Sequence, residues 1–297
     1  MTYQAKPVPQ ALTIAGSDGG GGAGIQADLK TFQERRVFGT SVIVAVTAQN
    51  TLGVQGIHKV PVEFVNEQMR SVFSDFEIGA LKTGMLPDAE IMRAVAAELR
   101  KHPEIPVVVD PVMIAKGGAA LMEDEASATL VREILPLATV LTPNVPEAEV
   151  ICDMTIQNAD DLLTAAKKIQ SMGVKNVVIK GGHRLETADA EDILLTEDAE
   201  VVQLSAERID TVRTHGTGCT YSACITAELA KGKSVKDAVT TAKAFIAAAI
   251  SDGILVGHGH GPTNHWAYRA VEKSRLTQKS CRKISAGVFY ARLPVFT

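Results

Sequence analysis

A chain of 297 residues with 46% hydrophobic and 22% charged side chains has room for a sizeable core and the balance of a soluble globular protein. Its net charge of −4 argues against nucleic acid as a partner, and no run of about 18 apolar residues offers a membrane span. The N-terminus lacks the apolar stretch of a signal peptide, so a cytoplasmic location is expected.

In chain order, residues 11–16 read as a buried strand, followed by the glycine run Gly19–Gly22 and a helix over 23–36. Gly19-x-Gly21-x-x-Gly24 matches a dinucleotide fingerprint only within a four-glycine run, and no Gly-Lys-[Ser/Thr] of a P-loop follows; a flexible turn explains it equally. Residues 41–48 read as one β-branched strand, 62–73 as a helix, 78–83 as a strand and 89–100 as a helix. Apolar strands at 105–109, 138–141 and 177–179 end in Asp110-Pro111, Thr142-Pro-Asn144 and Lys180-Gly-Gly182. Residues 193–195 and 201–204 read as an antiparallel edge pair, with helices over 220–231, 235–252 and 264–271 closing the fold.

This alternation predicts an α/β fold: a central, mostly parallel sheet with helices on both faces, in a single domain over 1–272. Residues 273–297 are left as a C-terminal tail. From 272 onward six basic residues stand against Glu272, a net of +5 that leaves −9 on residues 1–271. Ligands of open α/β sheets bind at the carboxyl ends of the strands, which allows Gln49, Gly84, Asp110, Asn144, Lys180 and the 215–219 loop to converge. Lys116-Gly-Gly118 and the 19–22 turn have the flexibility of a lid.

The stretch Arg213-Thr-His-Gly-Thr-Gly-Cys-Thr-Tyr-Ser222 is the strongest chemical signal. Gly216, Thr217 and Gly218 directly before a helix form an anion hole of backbone N–H groups in the field of a helix N-terminus. Cys219 sits where that field stabilises a thiolate, which could accept a hydroxyl proton. Otherwise it is a small buried residue, or a nucleophile with His215 as base. The Asn144-Val-Pro-Glu147 unit is either a helix cap or a pair that organises phosphate and Mg²⁺. Asp110 is a second acidic group for the metal or a turn residue, and Lys180 a phosphate contact or a solvated strand end. His258 and His260 lack a third metal ligand nearby. Four cysteines, Cys152, Cys219, Cys224 and Cys281, show no C-x-x-C spacing and point to neither a zinc site nor a disulfide framework.

Seven segments in order carry a resemblance: Leu12-Thr-Ile-Ala-Gly-Ser-Asp18, Gly21-Gly-Ala-Gly-Ile-Gln-Ala-Asp-Leu-Lys-Thr-Phe32, Lys82-Thr-Gly-Met-Leu86, Asp110-Pro-Val-Met113, Thr142-Pro-Asn-Val-Pro-Glu147, Ile179-Lys-Gly-Gly-His183 and His215-Gly-Thr-Gly-Cys-Thr220. Over about residues 10–270 the chain resembles the hydroxymethylpyrimidine kinase/phosphomethylpyrimidine kinases of the ribokinase-like superfamily, whose near relatives include pyridoxal kinases. The resemblance implies a ribokinase-like fold, ATP and Mg²⁺ as cofactors, and two phosphorylations of a small pyrimidine, hydroxymethyl group first and its phosphate second. It implies that Gly16, Ala23, Asp28, Gln49 and Met85 surround the pyrimidine, and that Asn144, Glu147, Lys180 and Asp110 serve nucleotide and metal, the metal through Glu147 and Asp110. It puts Cys219 at the place of the base, behind the Gly216–Gly218 anion hole. It also implies a homodimer with a small-molecule substrate. Gly19-Gly20 and the residues beyond 272 depart from the family pattern. The rivals are a pyridoxal kinase, a Cys219/His215 hydrolase and a non-catalytic binding module.

Overall fold

The structure, a computed structural model, describes residues 6–113, 124–183 and 189–269. Lys116-Gly-Gly118 and the tail 273–297 lie outside the described residues.

Eight strands form one sheet: β1 (Gln10–Ala15), β2 (Phe38–Ile43), β5 (Ala80–Thr83), β6 (Val107–Val109), β7 (Val140–Leu141), β8 (Asn176–Lys180), β9 (Asp189–Leu195) and β10 (Val201–Glu207). Their spatial order is β10-β9-β8-β7-β6-β5-β1-β2. The pairs from β2 through β8 are parallel, and β9 runs antiparallel to β8 and β10, as the edge pair predicts.

The helices are α1 (Gly24–Glu34), α2 (Val62–Phe73), α3 (Ala89–Leu99), α4 (Asp124–Thr129), α5 (Val145–Cys152), α6 (Ala159–Gln170), α7 (Thr217–Ala230) and α8 (Val235–Ser251). Strand side chains alternate faces, so a strand covered on both sides must be apolar throughout. Val107, Val109, Val177 and Ile179 pack into one core with residues of α2, α3, α5 and α6. Val108 and Val178 point the other way, toward Tyr221, Ile225 and Phe245 of α7 and α8. Phe32 of α1 joins Ala223 and Ala227 of α7 on that second face.

One strand differs from expectation. Residues 41–48 are not continuous: β2 ends at Ile43, and β3 (Ala45–Asn50) leaves the sheet to pair antiparallel with β4 (Gly53–Lys59). Buried Val44 is the pivot; its N–H bonds the Ala15 carbonyl at 3.1 Å and its carbonyl accepts from Val60 N–H at 3.0 Å. A β-branched run suits either partner, so hydrophobicity alone cannot show where pairing changes. The final helix expected over 264–271 is helical at 267–269, where the described residues end. Among the described residues no helix is long and apolar enough to cross a membrane.

Candidate active site

The parallel strands place their carboxyl ends along one edge, and the site is assembled there. At the β1/β5 end, Gly16 follows β1 and Met85 follows β5. A Cβ on Gly16 would lie 2.6 Å from Met85 Cε, so these two expected ring contacts touch. Behind them Lys82 Nζ lies 2.8 Å from Asp28 Oδ1, and Thr13 Oγ1 donates to Asp28 Oδ2 at 2.7 Å. All three residues are fully buried. Burial pushes the Asp28 carboxyl up, against the pull of Lys82. Its two oxygens thus face Lys82 and Thr13.

The glycine loop is gathered by Asp18, a residue to which the sequence pattern assigns no role. Asp18 Oδ1 accepts from Gly20 N–H at 2.8 Å, while Oδ2 accepts from Gly22 N–H at 3.0 Å and Ala23 N–H at 2.8 Å. Oδ2 also lies 2.8 Å from His215 Nε2. Although burial pushes the Asp18 carboxyl up, its bonds to His215, Ala23 and Gly20 outweigh that and leave it below the usual range. The His215 ring is pinned from the side as well, since a Cβ on Gly22 would come within 2.7 Å of its Cδ2. His215 therefore faces Asp18, and no hydrogen bond among the described residues joins it to Cys219, as a cysteine hydrolase would require.

The predicted anion loop opens α7. Gly216 is its N-cap at φ 77°, and a Cβ there would overlap the Gly22 carbonyl oxygen. The left-handed backbone and the close approach both require glycine. Thr217 Oγ1 donates to the Thr214 carbonyl at 2.7 Å, and the first full helical bond is Thr220 N–H to Gly216 O at 2.9 Å. The N–H groups of Gly218 and Cys219 precede that bond, in the positive field of the helix start.

Cys219 departs from expectation. Burial, with the Asp28 and Asp110 carboxylates adding to it, pushes its thiol up to about 12, against Lys82 and the Gly24 N–H. The ligand-free residue is a neutral thiol, not the low-pKa thiolate that the helix start alone suggests. Burial of the sulfur, helped by two carboxylates, outweighs both Lys82 and the partial positive charge of the helix start.

At the other end of the loop a Cβ on Gly218 would lie 3.3 Å from Asp110 Oδ2 and 3.4 Å from Lys180 Nζ. Lys180 Nζ lies 3.1 Å from Asp110 Oδ1, and Thr142 Oγ1 lies 3.3 Å from the same oxygen. Asn144 and Glu147 form a full capping box: Asn144 Oδ1 accepts from Glu147 N–H, and Glu147 Oε2 from Asn144 N–H, both at 2.9 Å. The Glu147 carboxyl is raised to about 7, by burial first and by Asp110 next, against Lys180. Charge thus alternates along the strand ends, from Asp28 and Lys82 to Asp110, Lys180 and Glu147.

Gly16, Ala23, Met85, Gly216, Gly218, Cys219, Asp110, Lys180, Asn144 and Glu147 thereby gather on one edge. Gln49 arrives from the β3–β4 hairpin, 3.5 Å from His215. His258 and His260 join no metal cluster among the described residues. The residue pattern alone gives no role to Lys82, Asp18 or Thr13. A lysine inside an otherwise apolar buried strand was the available signal for Lys82, and an Asp before a glycine run for Asp18. A separate cleft of about 500 Å³, lined by Phe73, Phe76, His102 and Ile105, opens at the opposite edge and holds none of these residues.

The family model described as phosphomethylpyrimidine kinase matches residues 18–264. The chain is 55% identical over 263 residues to the hydroxymethylpyrimidine/phosphomethylpyrimidine kinase of Haemophilus influenzae, covering 88% of this chain and 98% of that one. It is 49% identical over 260 residues to the protein of the same name from Bacillus subtilis, covering 88% and 96%. Among solved structures, an ADP complex of Bacillus subtilis pyridoxal kinase superposes with a TM-score of 0.82 at 41% identity, covering 89% of this chain and 99% of that one. The Clostridium difficile phosphomethylpyrimidine kinase superposes with a TM-score of 0.73, also at 41% identity, covering 81% and 99%. An alternating-charge strand edge, a glycine-built anion loop and this breadth of identity lead to one conclusion: the chain belongs to the phosphomethylpyrimidine kinase family.

Proposed function

We propose that the protein transfers the γ-phosphoryl group of ATP to 4-amino-5-hydroxymethyl-2-methylpyrimidine and then to the resulting monophosphate, giving the diphosphate. One observation carries this reading. The Gly216–Cys219 loop touches the Gly22–Ala23–Gly24 segment on one side and the Asp110–Lys180 pair on the other. A phosphoryl group held by that loop has a pyrimidine pocket before it and a phosphate-binding end behind it.

In this reading Gly16, Ala23 and Met85 enclose the ring, and the Gln49 amide meets the ring's amino group and neighbouring nitrogen. Lys180 contacts the nucleotide phosphates. Asp110 and Glu147 suit a hard divalent cation: a carboxyl raised to about 7 beside a second carboxyl gains from a positive partner. Two carboxylates, with waters and phosphates completing the shell, suffice for Mg²⁺, which when bound neutralises the β/γ-phosphates. Cys219 acts as the base once its thiol has given its own proton to solvent; the thiolate then takes the hydroxyl proton, and Lys82, which already lowers the thiol's pKa, is the positive charge that acts on it most strongly.

The test is incubation with Mg·ATP and the hydroxymethylpyrimidine, with products resolved by mass. Monophosphate followed by diphosphate is expected; no ATP-dependent product would sink the reading. Pyridoxal is run alongside, because a pyridoxal kinase is among the similar structures. Identity is higher to the Haemophilus influenzae and Bacillus subtilis pyrimidine kinases than to that pyridoxal kinase, which favours the pyrimidine as the main substrate. Two copies of the chain are the expected assembly, joined through the β3–β4 hairpin, where Val46, Leu52, Val54 and Ile57 are exposed.

A further inference from the structure

The β3–β4 hairpin carries Gln49, yet its own pairing holds it weakly. Every residue of β4 is exposed. Ala48 pairs with Gly56 and Gln49 with Val54, which leaves Gln55 as a bulge and breaks the ladder beside the residue that meets the ring. At its base the hairpin is fastened to the turn after β1: Ser17 N–H bonds the Ala45 carbonyl, and Thr47 Oγ1 donates to the Ser17 carbonyl, both at 2.8 Å. Beyond the bulge the hold comes from far along the chain. Thr51, at the hairpin turn, is gripped by residues 257–260. Its Oγ1 accepts from His258 N–H and Gly259 N–H, both at 3.1 Å, and its carbonyl accepts from His260 N–H at 2.8 Å. A Cβ on Gly257 would overlap Thr51 Oγ1, and one on Gly259 would overlap the Thr51 carbonyl oxygen. Only glycines let the loop close this tightly on one threonine. The same loop then reaches the anion loop. His215 N–H bonds the Gly261 carbonyl at 3.1 Å, and Pro262 pairs with His215, one residue before Gly216. Asn264 anchors it to α8, with its N–H on the Ala249 carbonyl at 2.9 Å and its Nδ2 on Asp252 Oδ2 at 3.0 Å. Residues 257–264 thus form a strap from the hairpin tip to the start of α7.

We infer that Thr51 is a positioning residue: clasped by the 257–262 loop, it holds the hairpin in a fixed place relative to the Gly216–Cys219 loop and so sets the affinity for the pyrimidine. The inference rests on Gln49 reading the ring, as proposed above. Thr51 stands two residues from Gln49, on the far side of the bulge from the Thr47 anchor. Its three bonds all come from backbone N–H groups of a largely exposed loop, so water replaces them when the clasp opens. Opening therefore costs the whole fold little and is confined to the hairpin end. An unclasped hairpin does not present Gln49, and the apparent affinity for the ring falls with the fraction of molecules that stay clasped. The nucleotide end, at Asp110 and Lys180, lies beside Gly218 on the other side of the anion loop and is left as it was.

The test is steady-state kinetics of the first phosphorylation, with each substrate varied at saturation of the other. Thr51→Val keeps the shape of the side chain and removes the acceptor. Its KM for the hydroxymethylpyrimidine should rise about tenfold, the size of one net hydrogen bond, while kcat and the KM for ATP stay at their wild-type values. Thr51→Ser keeps the hydroxyl and should bring that KM back close to wild type. Gly259→Ala presses on the same contact from the loop and should raise the same KM. Thermal melting of all three variants should stay near that of the wild type. An unchanged pyrimidine KM in both Thr51→Val and Gly259→Ala, or an equal rise in the KM for ATP, would overturn the clasp while leaving the kinase reading intact. So would a change in light scattering that accompanies the rise, because the effect would then belong to the assembly. A wild-type protein that forms no pyrimidine phosphate would remove the kinase reading and the clasp together.

Discussion

Lys82 has no exposed surface, and its ammonium rests on an equally buried Asp28. Removing one partner of such a pair strands a charge away from water, an effect of about 3–5 kcal/mol. Lys82→Met should lower the stability by that order in urea titration; a loss under about 1 kcal/mol would mean that Asp28 protonates at little cost or that water enters. Cys219 makes a different demand on the two half-reactions. An alcohol must shed its proton to become a phosphate ester, whereas a phosphate oxygen is already a nucleophile. Cys219→Ala should therefore slow the first phosphorylation about a hundredfold or more and the second far less, read from the two rates measured separately. Matched losses would assign the residue to packing beside the Gly24 N–H and not to proton transfer. Neither role follows from residue type alone, because the Cys219 thiol is set by burial first and then by Lys82 and by carboxylates from α1 and from the end of β6.

Among the elements, α5 tests whether a cap is also a working part. Its Asn144–Glu147 box satisfies N–H groups in both directions. Asn144→Ala removes a cap worth about 1 kcal/mol. If Asn144 is only a cap, Asn144→Asp should keep both stability and turnover. If it also orders the nucleotide, Asn144→Asp should keep stability and raise KM for ATP, since a second negative charge then stands beside Glu147. Thermal melting and ATP kinetics on the same pair of variants separate these outcomes. The glycine loop shows the same economy of parts: Asp18 closes it with three N–H bonds and makes a fourth contact with His215, which ties the first strand's turn to the start of α7.

At the scale of the molecule, burial sets the response to acid. His265 is 7% exposed and lies 3.0 Å from Thr220 Oγ1 on α7. Burial first, then the charge of Lys30, lowers its pKa from 6.5 to about 4. Below pH 6.5 the unfolded chain binds a proton that the native protein refuses until about pH 4. The stability that His265 contributes is thus complete above pH 6.5 and is lost as pH falls toward 4, by about 3 kcal/mol over the window. Urea midpoints at pH 7 and pH 4.5 should show that loss in the wild type and a smaller one in His265→Gln. The hairpin gives the prediction on assembly: light scattering should find a dimer, and Ile57→Lys, a charge on the exposed apolar strand, should shift it toward monomer. A monomeric wild type would remove that assembly.

The sequence by itself determined the α/β class, because strands buried on both faces must be apolar throughout and the intervening segments have helical period. It determined the edge pair β9–β10 and the place of the glycine turn that opens α7, since Gly216 and Gly218 stand directly before a run of helical residues. It also named most residues of the strand-end edge, the polar ones from their place after apolar strands and the rest from the family resemblance. What only the tertiary structure decided are the pairings. Whether residues 41–48 stay in one sheet, whether Cys219 is thiol or thiolate, and what Lys82, Asp18 and His215 face all depend on groups distant in the chain. Asp28 and Lys82 are 54 residues apart, and Asp18 and His215 are 197 apart. Electrostatics acts through space, so a one-dimensional pattern records the charges but not which of them meet.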